Sequence, residues 1–115
     1  MTMTIDEYQQ AALRTASKSL NWSGTLLNAA LGLCGESGEF ADIVKKHFYQ
    51  NHEDIDFENH LVKELGDIAW YLALAASALD VPLSEVLEMN IEKLKKRYPD
   101  GFDAERSMHR SAGDI

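Results

Sequence analysis

The chain is poor in the residues that lock or break a fold. It holds one cysteine and two prolines in 115 residues. A lone Cys34 excludes an internal disulfide, and a reducing, cytoplasmic setting is expected. Cys34 sits in an apolar run beginning at Leu31, so it reads as a buried structural thiol; a nucleophilic thiol needs an accessible, electropositive setting. With proline confined to Pro82 and Pro99, long helices are permitted. No apolar run reaches the length of a membrane span, and the longest candidate, 68–79, reads as a buried core helix. The N-terminal stretch is polar and acidic, so no secretory leader is expected. Positive charge is also scarce: 11 Lys and Arg stand against 19 Asp and Glu, for a net charge of −8. Nucleic-acid backbone and anionic membrane are therefore disfavoured as partners, while an anionic substrate that brings its own metal ions is not.

What is present is helical. The length suits one domain with a real core, and the 45% hydrophobic content is ordinary for a globular protein. A first helix is expected from about Ile5 to Leu20, opened by Thr4 and Glu7 at capping-box spacing. Asn21-Trp22-Ser23-Gly24 reads as a turn. A second helix, from near Thr25 to Tyr49, is apolar nearly all round its first half and should be a central element. The polar stretch 50–56 is the main loop. His47, His52 and His60 lie on or near it without zinc spacing, and are expected to be exposed, with a substrate contact from one of them left open. A third helix runs from 56 or 57 to Leu79, and a fourth from 83 or 84 to Tyr98, before Pro99. No stretch reads as a strand. The expected fold is all-α, an antiparallel bundle of about four main helices completed by oligomerisation. Residues 1–102 form a single helical domain and 103–115 a polar, mobile tail.

Four acids stand out. Glu36 and Glu39 are three residues apart, as are Glu64 and Asp67, so each pair shares one face of a helix. Both pairs lie in apolar sequence, on helices joined by a loop short enough to make them antiparallel neighbours. Converging carboxylates repel unless a cation lies between them, and all-oxygen ligands suit Mg2+ or Mn2+. Gly32, Gly35 and Gly38 each cost a helix about 1 kcal/mol relative to alanine. Two reasons for them stay open: close helix approach, or room for metal and phosphate. Farther on, Asn90, Lys93 and Arg97 line one face of the fourth helix, where an amide, an ammonium and a guanidinium suit phosphate oxygens or form a basic surface.

The segments Gly32-Leu33-Cys34-Gly35-Glu36-Ser37-Gly38-Glu39, Lys63-Glu64-Leu65-Gly66-Asp67-Ile68-Ala69-Trp70-Tyr71-Leu72 and Asn90-Ile91-Glu92-Lys93-Leu94-Lys95-Lys96-Arg97-Tyr98-Pro99 occur in that order. Together they resemble the MazG-like branch of the all-α nucleoside triphosphate pyrophosphohydrolases, over about 27–102. The resemblance implies Mg2+ or Mn2+ held by Glu36, Glu39, Glu64 and Asp67. It implies cleavage of NTPs or dNTPs to the monophosphate and pyrophosphate, in nucleotide-pool housekeeping, by a homodimer or homotetramer. Glu36 or Glu39 would orient the attacking water. Asn90, Lys93 and Arg97 become phosphate contacts, and Asn28, Trp22 and Tyr71 candidate nucleoside contacts. The chain departs from the fuller pattern at Gly35, where many members carry a second adjacent glutamate; the metal count and the water-activating base depend on that difference. Two alternatives stand beside this reading: an enzyme narrower in its nucleotide, and a non-catalytic or regulatory helical interaction module that retains the fold. A di-metal redox protein is set aside, because such sites use Glu-x-x-His pairs and none occurs.

Overall fold

A computed structural model describes residues 2–115. Five helices follow in order: α1 (Ile5–Leu13), α2 (Trp22–Tyr49), α3 (Phe57–Ala78), α4 (Leu83–Arg97) and the short α5 (Ala104–Met108). No strand occurs among the described residues, so the chain is all-α with four main helices, as expected. It divides into two compact units, one ending at Leu83 and one spanning Ser84–Ile115.

In the first unit, α1 opens on the expected capping box: Glu7 N donates to Thr4 Oγ1 at 3.1 Å and Thr4 N to Glu7 Oε1 at 3.0 Å. The helix stops at Leu13 rather than Leu20. Backbone bonds there tighten to i,i−3, and the Ala12 carbonyl accepts from the Thr15 hydroxyl at 2.9 Å and from Trp70 Nε1 at 3.1 Å. Those donors take the acceptor that a continuing helix needs, in a stretch where serine and threonine favour such local bonds. The expected turn at 21–24 is instead the start of α2, because Asn21 accepts from Gly24 N at 2.8 Å as an N-cap.

α2 and α3 form the long pair, about 42 and 33 Å by residue count. Trp22 meets Ala78, Gly32 meets Tyr71, Glu36 meets Glu64 and Asp67, and His47 stacks on Phe57. As one number rises the other falls, so the helices run antiparallel. Gly32 is the position that needs its missing side chain: a Cβ there would strike the Tyr71 ring. A Cβ on Gly35, Gly38 or Gly66 would meet nothing within 4 Å among the described residues. Close helix approach thus accounts for Gly32 and not for the other three.

α1 packs on α3 through a small core of Ala12, Ala73, Ala76 and Leu83, covered by Tyr8, Trp70 and Val81. Gln9 is buried beside it, with both amide N–H groups and its oxygen engaged. Its amide donates to Ser77 Oγ and the Val81 carbonyl, and its oxygen accepts from Leu83 N at 2.7 Å, which pins the turn after α3. Among the described residues no large side chain is completely buried. Leu27, Leu31, Val62, Leu65 and Leu72 on α2 and α3 are exposed. Cys34 is exposed with them, contrary to the buried thiol expected, because this chain alone does not cover that part of α2.

The second unit holds α4 from Ser84 onward, a turn with Gly101 at φ +94°, and α5, capped by Asp103. Its last residues reach back to α4. Arg97 donates to both Asp114 oxygens at 2.9 and 2.8 Å, and Lys93 Nζ donates to the Ile115 carbonyl at 2.8 Å.

Candidate metal and nucleotide site

The antiparallel pairing of α2 and α3 brings three of the four acids together. Glu36, Glu64 and Asp67 each present an oxygen, and these oxygens lie within 4.8 Å of one another. Glu39, one turn farther along α2, is exposed and outside the trio. Among the described residues, Glu36 Oε2 and Glu64 Oε2 are buried with no hydrogen-bond partner. A buried polar atom in that state is costly. Side-chain contact with Glu64, loss of water and the charges of Glu39 and Asp67 push Glu36 up to about 7. The arrangement accepts either a proton or a cation. Ligands of one hard ion at about 2.1 Å lie roughly 3 to 4 Å apart, so an all-oxygen trio of this spacing fits Mg2+ or Mn2+ with little movement.

Two further groups reach the acids that sequence reasoning had not placed there. Tyr8 of α1 lies near Asp67; burial first, and then that carboxylate, push its hydroxyl up. Fifty-nine residues separate the two, so no local spacing could have signalled the meeting. His60 lies one turn before Glu64 on α3. Its Nε2 is 4.0 Å from Glu64 Oε1, and its Nδ1 is 3.2 Å from Asp54 Oδ2. The i,i+4 spacing of His60 and Glu64 was readable, but the loop position of Asp54 was not. His52 and His60 are exposed as expected. His47 is on α2, half-buried against Phe57, with a buried Nδ1 that has no partner among the described residues.

The nucleoside candidates scatter along α2 and α3. Tyr71 packs over Gly32, one turn from the acids on each helix. Asn28 is exposed, one turn before Gly32. Trp22 is tied by its indole N–H to the Ala78 carbonyl at 2.7 Å. It stands fourteen residues from Glu36, about 21 Å along α2, so this chain does not bring it to the acids. Asn90, Lys93 and Arg97 belong to the second unit, where Asn90 is exposed and both cations are bound to the last two residues.

Residues 25–102 match the model of the MazG nucleotide pyrophosphohydrolase domain. The chain is similar to the Gene 37 protein of Mycobacterium phage L5, with 40% identity over 105 residues that cover 86% of this chain and 92% of that one. No solved structure matches it. No helix among the described residues is long and apolar enough to cross a membrane.

Proposed function

The chain belongs to the MazG nucleotide pyrophosphohydrolase family, and from that premise we propose that it hydrolyses nucleoside or deoxynucleoside triphosphates to the monophosphate and pyrophosphate. The observation that carries the reading is the meeting of Glu36, Glu64 and Asp67 with two buried oxygens that lack partners. These three residues hold Mg2+, for which Mn2+ can substitute. The bound ion supplies charge neutralisation for the triphosphate and activation of water.

The chain's own groups do the rest. Glu39, exposed and outside the trio, keeps its lone pairs free to accept the proton of the water that attacks the α-phosphorus as the α–β anhydride bond breaks and pyrophosphate leaves. Glu36 is the second group proposed to orient that water, through the oxygen it does not give to the ion. Asn90, Lys93 and Arg97 bind phosphate oxygens, the cations exchanging their tail partners for substrate. Tyr71 and Asn28 face the nucleoside, and Trp22 lies beyond their reach within one chain. A homodimer or homotetramer is the proposed assembly, supported by the exposed leucines and Val62 on α2 and α3. Neither nucleic acid nor membrane is a proposed partner, and a cytoplasmic role in clearing the nucleotide pool is the proposed setting.

The test is pyrophosphate release from a panel of ribo- and deoxyribonucleoside triphosphates, with Mg2+ and with chelator. Mg2+-dependent release is expected. Absence of release from every triphosphate, in a chain that is folded by circular dichroism, would favour the interaction-module reading.

A further inference from the structure

Glu64 is approached on one side by a pair of residues that the proposed hydrolysis does not use. Asp54, in the loop between α2 and α3, is fixed by the start of α3: Asp56 N donates to its Oδ1 at 3.0 Å and Phe57 N to its carbonyl at 3.1 Å. Its other oxygen, Oδ2, meets His60 Nδ1 at 3.2 Å. The ring's far nitrogen lies 4.0 Å from Glu64 Oε1, at the outer limit of an ion pair and one small side-chain movement from a hydrogen bond. Glu64 is only 12% exposed, and its second oxygen is the buried one that no described residue partners. The His60 contact holds Asp54 below the usual carboxylate range, which marks the pair as electrostatically engaged. The result is a line from a loop carboxylate through an imidazole to one oxygen of Glu64, with the other oxygen left over.

We propose that His60, anchored by Asp54, is a positioning residue that holds Glu64 through Oε1 and so keeps Oε2 available to the cation shared with Glu36 and Asp67. This rests on the metal-site reading above. A carboxylate free to rotate about its last bond would present either oxygen and pair with Glu36 only part of the time. An imidazole that closes from 4.0 Å onto one oxygen removes that freedom, and a backbone-fixed aspartate removes the freedom of the imidazole. Outer groups of this kind set metal affinity by roughly 10- to 100-fold.

The test measures Mn2+ affinity by the electron paramagnetic resonance signal of free Mn2+, on the full chain, beside thermal melting without metal. His60→Ala should weaken Mn2+ binding by about 10-fold or more. His60→Gln, which keeps an N–H donor, should recover most of that loss. Asp54→Asn should weaken binding less, and Asp54→Asn combined with His60→Ala should match His60→Ala alone, because Asp54 acts through the ring. A merely structural role would lower the metal-free melting point without the recovery by glutamine. Wild-type Mn2+ affinity in His60→Ala, with loss in Glu64→Gln, overturns the positioning role and leaves the metal site standing. Absence of Mn2+ binding to the unmodified chain overturns both.

Discussion

The acid trio on α2 and α3 and the Arg97–Asp114 pair in the second unit handle charge in opposite ways. In the trio, like charges converge, two oxygens are left without partners among the described residues, and Glu36 is driven up to about 7. At Arg97, both guanidinium bonds to Asp114 are made and Asp114 is held below its usual range. The pair is complete within the chain, whereas among the described residues the three acids meet only one imidazole, His60, and that at 4.0 Å. The second arrangement stabilises a fold; the first opposes folding, and strongly perturbed clusters of that kind concentrate at functional sites.

The largest effect that can break this contrast is catalytic. Replacing Asp67 by alanine, or Glu39 by glutamine, should lower kcat by at least about 100-fold with helical circular dichroism intact. Asp114→Asn should leave the Mn2+ affinity of the trio unchanged. A trio variant with full turnover would reduce the acids to a solvated face.

Stability should then move in opposite directions. Without metal, Glu64→Gln should melt higher than the unmodified chain, since it removes a repelling charge. Asp114→Asn should melt slightly lower, and residues 104–115 should lose hydrogen-exchange protection. Saturating Mg2+ should raise the melting point of the unmodified chain more than that of Glu64→Gln.

The smallest effect is in the pH profile, and its signs differ between the two regions. Glu36 is raised from 4.5, so its contribution to metal-free stability is full below 4.5 and is lost as pH rises through about 7. Asp114 is lowered from 3.8, so its contribution is present above 3.8 and is lost as pH falls through its folded value. Denaturant titrations of Glu36→Gln and Asp114→Asn across pH 3 to 8 should each flatten one limb of the curve. If either variant flattened the opposite limb, the assignment of that limb would fail.

The helices were legible in the sequence wherever apolar spacing carried them. The bounds of α3 and α4 fell within a residue or two of expectation, while α1 ended seven residues early. α1 is stopped by the local Thr15 hydroxyl together with a tertiary bond that no local pattern announces, Trp70 Nε1 on the Ala12 carbonyl from 58 positions away. The acid face was legible because i,i+3 spacing on two neighbouring helices has few outcomes; three of its members meet. Glu39 is outside because a shared face does not give equal reach. The burial of Cys34 was misread, since an apolar helix face predicts that something covers it but not that the same chain does so. Gln9 gave no warning: its value lies in three bonds, one to the last turn of α3 and two to the turn after it, some seventy residues on.

The proton on Glu36 has a consequence for calorimetry. The crowded acids favour a proton on Glu36, and a cation bound as proposed would compete with it. Loading would then be an exchange, and the heat recorded on titrating Mg2+ would include the heat of the buffer taking up what the site releases. Two buffers of different ionisation enthalpy should report different apparent enthalpies for one affinity. Their difference counts the protons released: approaching about one per site below pH 7 and vanishing well above it.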